Sequence, residues 1–270
     1  MSALDGRRIA VTRAVQQASG LCAALEARGA VALRCPTIRL APPATHEELD
    51  AALSRLTRYD WIVFTSPNGV RFALDRMEEI GVGIRALARS AVAAVGSRTA
   101  RALSERGLEP RLAGGGEGAS ALVASLAPIR RRNVLIARSD RGDPAVVDIL
   151  RRRGAGRVDD VVAYRTLPEA PAGDALAELR RGVEALTFTS PSTVTGFLAV
   201  GPEWRELAEG AIVACLGPTT AGAARRAGLE VHAEAGERTM PGLVAALEEA
   251  FMRRPGWDGA AGTPTGTGNE

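Results

Sequence analysis

Short apolar runs alternate with stretches of helical period along most of this chain. Residues 9–12, 61–65 and 91–95 are runs of small, β-branched or aromatic side chains, each closing on a polar or small residue. After them come stretches whose apolar positions recur three and four apart: 18–27, closing near Gly29; 67–74; and 98–105, closing near Gly107. Residues 119–126 add another helix. Strands of this length alternating with helices predict an α/β fold, with parallel sheets covered by helices on both faces.

The pattern is written twice. IAVTR at 9–13 resembles VLIAR at 134–138, and FTSP at 64–67 recurs at 188–191. AVGSRTA at 94–100 resembles CLGPTTA at 215–221, and ALV at 121–123 resembles GLV at 242–244. The partners keep their order and lie 121 to 125 residues apart, from Gly96 with Gly217 to Arg13 with Arg138. Two copies of one unit follow, about 7–127 and 133–253. Residues 36–44 and 162–171 occupy equivalent places and read as linkers where the chain can cross between domains. The glycine run at 114–118 reads as a loop. Residues 255–270, rich in Gly, Thr and Pro, have too few apolar side chains to build a core and predict a disordered tail.

Composition narrows the chemistry. A chain of 270 residues, 46% hydrophobic and 24% charged, holds one large domain or two ordinary ones. The net charge of +3 comes from interspersed acids and bases, with no dense basic stripe of the kind that binds nucleic acid. The arginines at 130–132 read as a solvated loop. Lysine is absent, which excludes Schiff-base and P-loop-lysine chemistry and leaves guanidinium groups, well suited to carboxylates. Cys22, Cys35 and Cys215 are scattered, and His46 and His232 lack ligand spacing, so no metal site is expected. GxGxxG and GxSxG motifs are missing as well, and no cofactor is expected. Neither a signal-peptide stretch nor a membrane-length apolar run is present, which points to the cytoplasm.

In open parallel sheets ligands bind beyond the carboxyl ends of the strands. This chain sets hydroxyls and glycines at those turns. Ser66-Pro67 and Ser190-Pro191 join a favoured N-cap to proline at the first helical position. Gly96 to Thr99 and Gly217 to Thr220 make similar turns. Free N–H groups there lie at the positive end of a helix dipole and suit anions, although ordinary capping explains the same residues. Arg13 and Arg138 end the first strand of each copy. Each can grip a ligand carboxylate or pair with a nearby acid, such as Asp140 or Asp143. Arg98 and Arg141 also lie near strand ends. Tyr164, in VVAYRT at 161–166, can be packing or a phenol offered to a cleft, whereas Tyr59 reads as structural.

Several segments carry a family resemblance when taken in order: VTR at 11–13, PTI at 36–38, YDWIVFTSPNGVRF at 59–72, AVGSRTA at 94–100, YRT at 164–166, LTFTS at 186–190, LGPTTA at 216–221 and AEAGERTMPGLVAAL at 233–247. Together they resemble the uroporphyrinogen-III synthase family over about 6–252. The loop SDRGD at 139–143 departs from the family's glycine-first form. The resemblance implies two α/β domains, related by the repeat and joined by a two-stranded connector. The first comprises 1–36 with 168–254, and the second 40–164. It implies a cleft for hydroxymethylbilane, a linear tetrapyrrole polyanion. Loss of the ring A hydroxyl gives an azafulvene cation. Ring D attacks through its substituted carbon, and a spiro intermediate recloses with that ring inverted. Positioning, cation stabilisation and proton donation to the leaving hydroxyl are the enzyme's tasks. Tyr164 is the implied acid, since a phenol stays protonated in neutral solution. Ser66, Thr99, Ser190, Thr219 and Thr220 are implied to line the site, and Arg13 and Arg138 to hold carboxylates. The expected protein is a cytoplasmic monomer without metal or cofactor, in transient contact with the deaminase that supplies its substrate. Nucleic acid and membrane are not expected partners. A two-lobed sensor that binds an anion without turnover is the alternative, because fold alone does not set function.

Overall fold

A computed structural model describes residues 2–114, 118–171 and 173–253. The expected disordered tail at 255–270 lies outside the described residues, as do residues 115–117 of the glycine run. The first elements are β1 (Arg8–Val11), α1 (Val15–Glu26), β2 (Val31–Arg34), β3 (Ile38–Ala41), α2 (Glu47–Leu53), β4 (Trp61–Phe64), α3 (Pro67–Glu79), β5 (Ala91–Val95) and α4 (Gly96–Ser104). Then come β6 (Leu112–Gly114), α5 (Ala119–Ser125), β7 (Val134–Ser139), α6 (Ala145–Arg152), β8 (Val158–Pro168) and α7 (Asp174–Arg180). The last are β9 (Ala185–Phe188), α8 (Pro191–Val200), α9 (Glu203–Gly210), β10 (Ile212–Cys215), α10 (Pro218–Arg226), β11 (Ala233–Glu234) and α11 (Met240–Arg253).

The chain divides into two compact units: Met1–Arg39 with Leu167–Glu270, and Leu40–Thr166. One sheet has the order β11-β10-β9-β1-β2, the other β3-β8-β7-β4-β5-β6. Pairings of β1 with β2 and β9, of β10 with β9 and β11, of β4 with β5 and β7, of β5 with β6, and of β7 with β8 are all parallel. The stretches that read as linkers are largely strand: β3 falls within 36–44, and the later part of β8 within 162–171. Their prolines sit at strand ends, where a missing N–H is tolerated.

Period-2 geometry with both faces covered explains why the strands read as unbroken apolar runs. In β4, Ile62 and Phe64 join the core under α2 and α3, while Trp61 and Val63 join the core under α5 and α6. In β1, Ile9 and Val11 face α1 and α11, and Ala10 faces the side with Val194 and Phe197 of α8. The helices answer with single stripes: Ala18, Leu21, Cys22 and Leu25 on α1, and Val70, Ala73, Leu74 and Met77 on α3. Both show the i, i+3, i+4, i+7 spacing of one buried face. Gly29 ends the turn after α1 at φ +82°, a left-handed position that suits glycine.

Each sheet has one place where the strand order reverses direction. In the first it lies between β1 and β9, in the second between β7 and β4. Such a switch point opens a crevice beyond the carboxyl ends of the strands.

Candidate active site

At the switch point of the second sheet, β4 ends and the chain turns through Ser66 into α3. Ser66 has extended backbone angles, and its Oγ accepts the N–H of Gly69 at 3.0 Å, with Pro67 opening the helix. Gly69 has a reason to be glycine: an added Cβ would stand 3.1 Å from the carbonyl oxygen of Ala137 on β7. The same Ser66 Oγ lies 3.0 Å from the hydroxyl of Tyr164 on β8. Tyr164 is 6% exposed, and its ring stacks on Phe72 of α3 at 5.4 Å between centroids and 12° between planes. The Arg71 guanidinium lies 4.4 Å from the centroid of Phe72. The phenol is therefore fixed at its ring by an α3 side chain and at its oxygen by the serine that caps α3.

At the switch point of the first sheet, Ser190 repeats the cap. Its angles match those of Ser66, its Oγ meets the Thr193 N–H at 3.4 Å, and the Thr193 hydroxyl completes a capping box. Its second neighbour is the Ser192 hydroxyl at 2.8 Å, with no aromatic hydroxyl in that place. Arg13, just past β1, donates to Met240 Sδ at 3.0 Å and to Gln17 Oε1 at 3.4 Å. Thr219 is exposed and Thr220 buried in the first turn of α10, after Gly217. The Arg238 side chain packs over Gly217, its nearest carbon 3.3 Å from where a Cβ would be.

Two expected site residues are engaged within their own unit. Thr99 is 1% exposed, and its hydroxyl donates back to the Val95 carbonyl at 2.8 Å. Arg138 forms a two-pronged pair with Asp160, both bonds 2.6 Å, and its Nη1 donates to the carbonyls of Ser139 and Gly142. Of the two readings of Arg138, the ion pair is the one found. Its partner is Asp160, not Asp140 or Asp143, because parallel pairing of β7 and β8 sets Asp160 opposite Ile136, two residues from Arg138 and on the same face. Tyr59 is buried and bonded to Asp159, as a structural tyrosine should be; burial, aided by that carboxylate, pushes its phenol up.

Burial pushes the thiols of Cys35 and Cys215 up to about 12, so both stay protonated near neutrality and neither makes a ready nucleophile. A cavity of about 640 Å³ between α2 and α6 lies beside Val158 to Val161, the early part of β8, away from the carboxyl edge. Two of its acids are already paired: Asp159 with Arg157, and Asp160 with Arg138. Among the described residues, no group of three or more His, Cys, Asp or Glu is placed to hold a metal ion, and no helix is long and apolar enough to cross a membrane.

A family model described as uroporphyrinogen-III synthase HemD matches residues 19–245. The chain belongs to the uroporphyrinogen-III synthase family. The uroporphyrinogen-III synthase of Synechococcus elongatus is 30% identical over 255 residues, covering 91% of this chain and 96% of that one. Its counterpart from Chlorobaculum parvum is 29% identical over 258 residues, covering 91% and 99%. A crystal structure of a mutant uroporphyrinogen III synthase from Thermus thermophilus shares the fold at a TM-score of 0.66 and 22% identity, covering 92% of this chain and 100% of that one. The Helicobacter pylori uroporphyrinogen-III synthetase does so at 0.60 and 19%, again covering 92% and 100%.

Within this family member, two residues that touch Tyr164 carry no such role in the sequence: Phe72, which stacks on its ring, and Asp140, named there only as a possible partner of Arg138. Phe72 closes the YDWIVFTSPNGVRF block, and an aromatic on the helix that Ser66 caps was the available signal. Asp140 lies in the SDRGD loop, whose departure from the family form was the signal there.

Proposed function

We propose that this chain closes hydroxymethylbilane to uroporphyrinogen III, with Tyr164 as the proton donor to the departing hydroxyl. Membership of the family supports the activity, and the sensor alternative has no support from relatives named as synthases. The observation that carries the role of Tyr164 is its hydroxyl, 3.0 Å from Ser66 Oγ at a strand-end switch point. Donation from the phenol lets the ring A hydroxyl leave as water. The proton released when the inverted ring regains aromaticity restores the phenol. The remaining work is positioning: spontaneous closure at the unsubstituted carbon gives the type I isomer, so the protein must hold the ends for the other closure.

In this reading the substrate's carboxylates are held at the carboxyl edges of the strands. Ser66, Ser190, Thr219 and Thr220, with the first-turn amides of α3, α8 and α10, supply hydrogen bonds, and Arg13 supplies charge. Arg138 and Thr99 act differently, by bracing β7 against β8 and the turn before α4. The two-copy reading has support in the strand orders. Exchanging β1 with β7, β2 with β8, and β9, β10 and β11 with β4, β5 and β6 turns the order of the first sheet into that of the second, apart from edge strand β3. Each unit then combines the first two strands of one copy with the last three of the other. β3 and β8, neighbours in the second sheet, would form the connector between domains 1–36 with 168–254 and 40–164. We place the enzyme in the cytoplasm as a monomer that takes its substrate from the deaminase.

The test is a coupled assay. Deaminase makes hydroxymethylbilane from porphobilinogen, the full chain is added, and oxidised products are separated by isomer. The expected result is type III product, with turnover lowered about 100-fold in Tyr164→Phe, the usual scale for one positioned acid. Type I product alone from folded protein would remove the activity. A wild-type rate in Tyr164→Phe would remove the acid role.

A further inference from the structure

The strand that carries Tyr164 breaks its own alternation. Val161 and Ala163 belong to the core under α2 and α3. A regular strand sends the next side chain to the opposite face. Tyr164 nevertheless joins the same core as Ala163. The register gives the reason: Arg138 stands opposite Val162 and Ser139 opposite Tyr164, so β8 carries one extra residue, Ala163. An inserted residue of this kind re-aims the side chain that follows it. Without the bulge, the phenol would face the α5 and α6 side and never meet Ser66 or Phe72.

One residue grips β8 just past the bulge. Asp140 follows the last residue of β7, and its N–H donates to the Tyr164 carbonyl at 3.1 Å. Its Oδ1 accepts the Thr166 N–H at 3.0 Å and the Ser139 hydroxyl at 3.1 Å. Asp140 thus ties down both ends of Tyr164-Arg165-Thr166. Its own side chain is exposed, so this grip is separate from the packing of the core.

We infer that Asp140 is a positioning residue for Tyr164: its side-chain oxygen fixes the bulge that aims the phenol at Ser66. The role needs an acceptor oxygen and does not need the negative charge. The inference rests on the reading of Tyr164 as proton donor. A carboxylate here could instead support the substrate cation by charge alone, and the two roles respond differently to substitution. Asparagine keeps the acceptor and loses the charge, whereas alanine loses both.

The experiment compares full-length wild type, Asp140→Asn, Asp140→Ala, Tyr164→Phe and the Asp140→Ala/Tyr164→Phe double variant. Two readouts are taken: kcat and KM for type III product, and carbon-13 NMR of protein labelled at tyrosine Cζ. The sequence has two tyrosines, so Tyr164→Phe assigns both signals. Asp140→Ala should shift or broaden the Tyr164 signal and leave that of Tyr59 in place. Its kcat should fall about fivefold with KM nearly unchanged, a loss in the range expected when a reacting group is misplaced by less than an ångström. Asp140→Asn should match wild type in both readouts, and the double variant should be no slower than Tyr164→Phe alone. An unmoved Tyr164 signal in Asp140→Ala overturns the inference. Equal kinetic losses in Asp140→Asn and Asp140→Ala also overturn it, and assign the effect to charge. A Tyr164→Phe variant as fast as wild type sinks the acid reading of Tyr164 instead, and the grip of Asp140 is then judged on the NMR signal alone.

Discussion

Replacing Ser66 with alanine removes two bonds of different kinds. One is the cap on the Gly69 N–H, the other the contact with the Tyr164 hydroxyl, each 3.0 Å. A lost serine cap costs about 1 kcal/mol. A phenol only 6% exposed that loses its partner costs about 1 kcal/mol more. Ser66→Ala should therefore destabilise its unit by about 2 kcal/mol. Ser190 is the internal control, a serine cap with nearly the same backbone angles whose second Oγ neighbour is the part-exposed Ser192 hydroxyl in place of a buried phenol. Ser190→Ala should cost about 1 kcal/mol. In a Tyr164→Phe background the cost of Ser66→Ala should fall to about 1 kcal/mol while that of Ser190→Ala stays put, a coupling typical of residues in contact. Urea titration measures this, with an unchanged m-value as the check that only stability moved. Versions keeping a single tryptophan, buried Trp61 for the unit of Ser66 or buried Trp204 for that of Ser190, follow each unit separately. If Ser66→Ala costs the same with and without the Tyr164 hydroxyl, Ser66 does not hold the phenol and the reasoning fails.

Four further outcomes are expected. Gly20→Ala, inside α1 with nothing within 4 Å of the new Cβ, should raise stability by about 0.5–1 kcal/mol. Gly196→Ala in α8 should lower it by about 1–3 kcal/mol, because its Cβ would sit 2.3 Å from the Thr37 carbonyl oxygen; thermal melts of the pair should move in opposite directions. Arg138→Gln should cost about 2–3 kcal/mol through its broken pair with Asp160, with KM nearly unchanged; a large rise in KM at unchanged stability would return Arg138 to the substrate. Hydrogen bonds from Arg76 hold the Asp50 carboxyl below its usual range. The stability this confers is full above the ordinary aspartate pKa of about 3.9 and is lost as pH falls through the lower folded value. Asp50→Asn should flatten that acid limb in denaturant midpoints measured at falling pH, and an unchanged limb would refute the assignment.

The buried strands were the most legible part of the sequence. β1, β4 and β5 are apolar on both faces, so their runs stand out, and the helix after each shows one apolar stripe. The far end of α3 was harder, because beyond Met77 only Glu78 and Glu79 remain, both exposed. The extent of β8 was less legible: only 162–171 reads as a connecting stretch, because half-buried charged positions such as Asp159, Asp160 and Arg165 mask a strand of eleven residues. The serine caps were visible as Ser-Pro pairs. What the caps touch was not, since the contact of Ser66 with Tyr164 spans 98 residues of chain. The partner of Arg138 depends on strand register, and the bulge at Ala163 leaves no local signature. Both belong to pairing between strands, which composition and periodicity do not encode.

The unit that begins at Met1 also bears on how the chain is made. Its first strands leave the ribosome early, yet β1 has β9 as a neighbour, and β9 is translated roughly 150 residues after Arg39, on the order of ten seconds or more later. Meanwhile β1 and β2 wait with an open edge and apolar faces, the state most prone to wrong pairing. The intervening unit is contiguous and can fold first. Its β3 and β8 lie side by side, so its folding draws together the two points where the chain enters and leaves. Closing a loop of that length costs about 4 kcal/mol in chain entropy, which the first unit then no longer bears. If the contiguous unit folds first, it shortens the loop that the segments on either side of it must close.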